Sequence, residues 1–102
     1  MHIINENIEN VKKQLVDKFK PKDVILFGSH AKGVITSRSD IDICVVMNTA
    51  NKRELVREIM LEVGGDVDLD IVVYTEDEWE NYKDDKSTFA YIIANSGVSL
   101  IG

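Results

Sequence analysis

Four aspartates at alternating positions in two short apolar runs constrain this chain more than any other feature. Asp40 and Asp42 belong to the run that ends at Met47, and Asp68 and Asp70 to the run from Val67 to Tyr74. Both runs are rich in β-branched residues and predict strands. Side chains alternate across a strand, so Asp40, Asp42 and Cys44 share one face and Ile41, Ile43 and Val45 the other. The second run divides Asp68 and Asp70 from Val67, Leu69, Ile71 and Val73 in the same way. Aspartate is disfavoured in strands, and grouped like charges repel. Two carboxylates about 4 Å apart, at an effective dielectric near 20, cost on the order of 4 kcal/mol before relaxation. A merely solvated outer face is the bland alternative, but such faces more often carry Thr, Lys or Arg of mixed sign. Oxygen-only ligands suit a hard cation such as magnesium, which takes one or two carboxylates together with substrate phosphates.

The rest of the chain supplies a scaffold for two such strands. Ile8, Val11, Leu15 and Phe19 predict an amphipathic helix over roughly 6–20, ended by Pro21. Val24-Ile25-Leu26-Phe27 reads as a buried strand that ends at Gly28-Ser29. Asn51 with Glu54 has the form of a capping box and opens a helix through Leu55, Val56, Ile59, Met60 and Val63, stopped at Gly64-Gly65. Thr75 with Glu78 opens a short helix by the same logic. Ser87 is expected to cap a last helix that Gly97 terminates, and Val98 to Ile101 reads as a small edge strand. The expected fold is α/β (α+β): a small mixed sheet with helices packed mainly on one face, in one domain over 1–102.

Gly28-Ser29-His30-Ala31-Lys32-Gly33 follows the first strand directly. Glycine allows close backbone approach to a ligand, and free N–H groups at such a turn suit phosphate. Ser29 adds a hydroxyl and Lys32 a cation. By itself the turn is weak evidence, and it lacks the order and spacing of a Walker A loop. Gly28-Ser29, ten residues, then Asp40-Ile41-Asp42 and a further strand aspartate together resemble the signature of the polymerase-β nucleotidyltransferase superfamily. Phe27-Gly28-Ser29-His30-Ala31-Lys32-Gly33 followed by Ser39-Asp40-Ile41-Asp42-Ile43 is similar to its minimal nucleotidyltransferase branch. The likeness runs from Val24 through Thr75, about half of the chain.

That resemblance implies a polymerase-β-like fold and Mg²⁺-dependent transfer of a nucleoside monophosphate, AMP from ATP by default, to an acceptor hydroxyl. Gly28 and Ser29 would hold the donor's phosphates with Lys32 beside them, and Asp40 and Asp42 would ligate two metal ions. The third carboxylate falls best on Asp70, five residues before Thr75, although Asp68 shares its face. Asp70 would also act as base toward the acceptor. Lys32 stands where the family often has arginine, which keeps the charge and loses bidentate geometry. Family members this small often pair with a helical protein of the HEPN type in toxin–antitoxin modules, where the partner is also the acceptor. Trp79, Tyr82, Phe89 and Tyr91 in 76–101 would face such a partner or, as expected for most of them, complete the core.

Charge narrows the partners. Twelve basic against 18 acidic residues give a formal charge of −6, which argues against broad nucleic-acid binding, though metal-bound nucleotides remain compatible. No signal-peptide pattern or stretch long enough to span a bilayer occurs, so the expected compartment is cytoplasmic. Cys44 reads as a buried thiol and His30 as an exposed turn residue. A homo-oligomer is compatible with the sequence. The rival reading is a non-catalytic antitoxin or regulatory subunit acting by occlusion. A nucleotide-sugar site of the DxD kind would leave the Gly-Ser turn idle.

Overall fold

Ile8, Val11 and Leu15 line one side of helix α1 (Glu6–Phe19), and Leu55, Ile59 and Val63 line one side of helix α2 (Lys52–Val63). These steps of three and four residues bring each apolar stripe onto a sheet. The computed structural model describes residues 6–28, 41–63 and 69–101. Beyond the two long helices it contains strands β1 (Asp23–Phe27), β2 (Ile41–Val46), β3 (Leu69–Tyr74) and β4 (Val98–Ser99), and short helices α3 (Glu76–Tyr82) and α4 (Phe89–Ser96).

The sheet runs β3-β2-β1-β4. β2 and β3 are parallel, with α2 in the connection between them, while β1 is antiparallel to both β2 and β4. Val24, Leu26, Ile43, Val45, Leu69 and Val73 pack with α1 and α2 on one face. The opposite face is covered over part of its length: Ile25, Cys44 and Val46 lie beneath Trp79 of α3 and Ala90 and Ile93 of α4. The long helices thus share one face, as expected, and the short pair seals part of the other. β1 and β2 are central strands buried from both sides, so their apolar pattern is nearly continuous. Each fully buried Val, Ile or Leu contributes roughly 1.5–3 kcal/mol of transfer free energy.

Several local expectations need correction. The last helix is capped by Thr88 and not by Ser87: Tyr91 N donates to Thr88 Oγ1 at 3.2 Å. Ser87 is engaged elsewhere, its N and Oγ donating to Asp85 Oδ1 at 3.0 and 2.7 Å. At α2 only half of the capping box forms. Glu54 N donates to Asn51 Oδ1, whereas Asn51 N donates to Thr49 Oγ1. Of the four aromatic residues expected mostly in the core, only Trp79 is buried. Tyr82 and Phe89 are exposed. The Gly64-Gly65 stop lies outside the described residues. Gly97 does end α4, and a Cβ there would meet Ile25 Cγ2 and Ile93 O, each at 2.6 Å.

The capping box at α3 is complete. Glu78 N donates to Thr75 Oγ1 at 3.2 Å, and Thr75 N donates to Glu78 Oε1 at 2.9 Å. Lys52 also pairs with the Glu78 carboxylate. The Lys52 hydrogen bond, followed by the Thr75 N–H, holds Glu78 below the usual carboxylate range. A carboxyl depressed on folding stabilises the fold above its unfolded pKa, and this is lost as pH falls through the folded value. Thr75→Ala is expected to cost about 1 kcal/mol in urea unfolding at neutral pH. An unchanged unfolding midpoint would show that the cap contributes nothing. Among the described residues no helix is long and apolar enough to cross a membrane.

Candidate functional site

The carboxylates occupy one end of the face that carries Cys44 and Val46. Asp42, the second residue of β2, is the Cα partner of Asp70, the second residue of β3. Parallel partners in register project to the same side of a sheet, and neighbouring strands lie about 4.8 Å apart. The two acids therefore converge, Asp42 half-buried and Asp70 exposed. On the other side of Asp42 its Cα partner is Phe27, the last residue of β1. Asp70, Asp42 and Phe27 thus form a row across three strands.

Gly28 closes this end of the sheet. Its φ is +73°, in the left-handed region that L residues rarely adopt. A Cβ at this position would overlap Asp42 Oδ2 and lie 3.1 Å from Asp42 Cγ. From sequence, the glycine was expected to admit a ligand. In the structure, the space without a side chain is taken by the Asp42 carboxylate. Both features, the torsion and the close approach, demand glycine where β1 ends.

Ser29, Lys32 and Asp40 lie outside the described residues, as do Asp68 and His30. The structure therefore brings together Gly28, Asp42 and Asp70 from the predicted set. Among the described residues no three potential ligands cluster around one point. The pair that is described has the chemistry a magnesium ion needs: hard oxygen donors on adjacent strands, Asp42 half-buried and Asp70 exposed. A nucleotide's own phosphates would be repelled by the bare acids, so a cation is required for the two to coexist.

Cys44, two positions along β2, is fully buried. Burial, with a smaller contribution from the Asp23 charge, pushes its thiol up to about 12, so it is neither nucleophile nor soft metal ligand. The aromatic side of the site was not foreseen. Phe27 meets Phe89 of α4 at near right angles, with interplanar angle 83° and ring centroids 5.7 Å apart. Phe27 sits beside the Gly-Ser turn in sequence, but no local pattern pointed to Phe89, which arrives from 62 residues away.

Comparison with known proteins gives a consistent picture. The family model for a nucleotidyltransferase domain matches residues 8–96. Two Methanocaldococcus jannaschii proteins, each provisionally named a protein adenylyltransferase, are 48% identical over 48 residues and 43% identical over 42 residues. The matched stretches cover 47% and 41% of this chain, and 48% and 43% of the relatives, under half of each relative's length. The crystal structure of a provisionally assigned nucleotidyltransferase from Sulfolobus solfataricus superposes with a TM-score of 0.54 at 23% identity. That match covers 92% of this chain and 76% of the other, and the likeness is one of fold.

Proposed function

Because the chain belongs to the nucleotidyltransferase domain family, we propose that it transfers AMP from ATP to a hydroxyl on an acceptor protein, with magnesium held by Asp40, Asp42 and Asp70. The observation that carries this reading is the in-register pairing of Asp42 with Asp70 beside the left-handed Gly28. The provisional name of the two archaeal relatives supports adenylyl transfer and a protein acceptor. Magnesium bound there would neutralise the triphosphate and stabilise charge on the entering and leaving oxygens.

The chain's own residues have distinct parts in the reaction. Gly28 and Ser29 would hold the β- and γ-phosphates, with Lys32 close by in sequence to offset their charge. Asp42 would be a metal ligand, its carboxylate lying in the space that a side chain at position 28 would fill. Asp70 is exposed and can accept the proton of the acceptor hydroxyl. The hydroxyl oxygen bonds to the α-phosphorus, the bond from that phosphorus to the bridging oxygen breaks, and pyrophosphate departs. The resemblance to minimal nucleotidyltransferases makes a HEPN-type helical protein the first acceptor to try, in an antitoxin role.

The test is incubation with labelled ATP, Mg²⁺ and a HEPN-type protein encoded beside this chain, followed by mass spectrometry. The expected outcome is an AMP adduct on a partner hydroxyl, with stoichiometric pyrophosphate release. Tight complex formation without adduct or pyrophosphate would overturn the transferase reading in favour of inhibition by occlusion.

A further inference from the structure

We propose that the ring of Phe89 is the platform on which the base of the bound nucleotide stacks. The inference rests on the nucleotidyl-transfer reading and adds to it the side chain that holds the base.

Three observations lead there. Phe89 is 48% exposed although it is a large apolar residue; in the same helix Ala90 and Ile93 are buried and Ile92 is 56% exposed. Its ring is not loose: it packs at 83° to Phe27, with centroids 5.7 Å apart. Its backbone is set by the cap at Thr88, whose Oγ1 accepts from Tyr91 N and donates to Tyr82 O at 2.7 Å. Phe27 is in turn the Cα partner of Asp42. The row of acids across the sheet therefore ends at Phe27, and Phe89 of α4 is set against that ring.

Direction then selects the ligand part. A nucleotide anchored through its phosphates at Asp42 and Asp70 must extend its sugar and base away from the acids. On one side of Asp42 is β3, an outer strand bearing Asp70. On the other side is the aromatic pair. One strand spacing plus the ring separation puts Phe89 on the order of 10 Å from the carboxylates, a span that a sugar and its base can bridge. A base offers a flat π-face that an aromatic ring accepts without charge or hydrogen bonds. Met60 and Leu61 are also exposed, but they belong to α2, which packs on the opposite face of the sheet. Tyr82, Ile92 and Ile101 are exposed too, and Phe89 is singled out from them by its ring contact with Phe27, the Cα partner of Asp42.

The test is calorimetric titration of the full chain with Mg-ATP and with Mg-tripolyphosphate, which lacks sugar and base. The wild type should prefer ATP by roughly fivefold or more, the lower range of a single aromatic–base stack. Phe89→Ala and Phe89→Leu should bind tripolyphosphate as the wild type does and lose that preference. Phe89→Trp should keep it, and purine nucleotides should bind more tightly than pyrimidine ones. Leucine retains an apolar side chain on Phe27, so its loss of preference reports the ring and not the fold. An undiminished ATP preference in both Ala and Leu variants would overturn the proposal. So would normal ATP binding combined with failure to modify the acceptor, because the ring would then contact the acceptor. A wild type that binds neither compound would refute the nucleotidyl-transfer reading itself, and the platform with it.

Discussion

Replacing Asp42 with asparagine is expected to abolish the proposed AMP transfer and to leave the fold standing. Asparagine matches aspartate in shape and keeps one oxygen as an acceptor for its neighbours, so the contact with Gly28 survives. The lost charge would remove one of the proposed magnesium ligands. Losing a group that merely orients a ligand already costs roughly 10–100-fold, so the loss here should exceed about 100-fold. In the absence of metal the unfolding midpoint should stay level or rise, because Asp42 no longer faces the Asp70 carboxylate across one strand spacing. Adding Mg²⁺ should raise the melting temperature of the wild type and not that of the variant. A large loss of metal-free stability would identify Asp42 as a structural hydrogen-bond acceptor. Partner neutralisation that persists in this variant would show that inhibition needs no chemistry.

Gly28→Ala should damage stability and activity together. An alanine forced to φ near +73° costs about 1–2 kcal/mol from backbone sterics alone. Its methyl group would also displace Asp42 Oδ2. Asp42 is a short side chain on a central strand, with only χ1 and χ2 to turn, so the carboxylate must leave its position opposite Asp70. The expected result is a loss of about 2 kcal/mol or more in urea unfolding, with transfer reduced at least tenfold in initial-rate assays. An alanine variant that is equally stable and equally active would mean that neither the torsion nor the close approach matters. The contrast with Asp42→Asn is diagnostic: one variant separates folding from chemistry, and the other couples them.

Much of this architecture could be read from residue patterns because the signals are local and strong. The stripes Ile8-Val11-Leu15 and Leu55-Ile59-Val63 specify helices whose apolar sides must be covered. The alternation in β2 and β3 placed Asp42 and Asp70 on equivalent faces, but their register could not be read, since strand pairing depends on contacts distant in sequence. Nor could the second helical layer. Cys44 and Val46 share a face with Asp42, and helices were expected mainly on the other face, yet α3 and α4 bury that stretch. Only tertiary packing decides which part of a face is covered. Ser87 and Thr88 are both competent caps, and the choice between them turned on Asp85 capturing the serine. Phe89 was one of four aromatic residues expected either to face a partner or, for most of them, to complete the core. Its position over Phe27 depends on the path of the chain through α3, which no local periodicity encodes.

The two-layer covering of the sheet also decides where this protein can be handled. The outer side of α2, where Leu61 is 75% exposed and Glu58 lies near it, is screened from the carboxylates by the sheet. A fluorophore, spin label or surface tether placed there would ride on the scaffold on the side of the sheet away from Asp42 and Asp70. That makes the rear helix the natural handle for testing whether the proposed acceptor binds at the front.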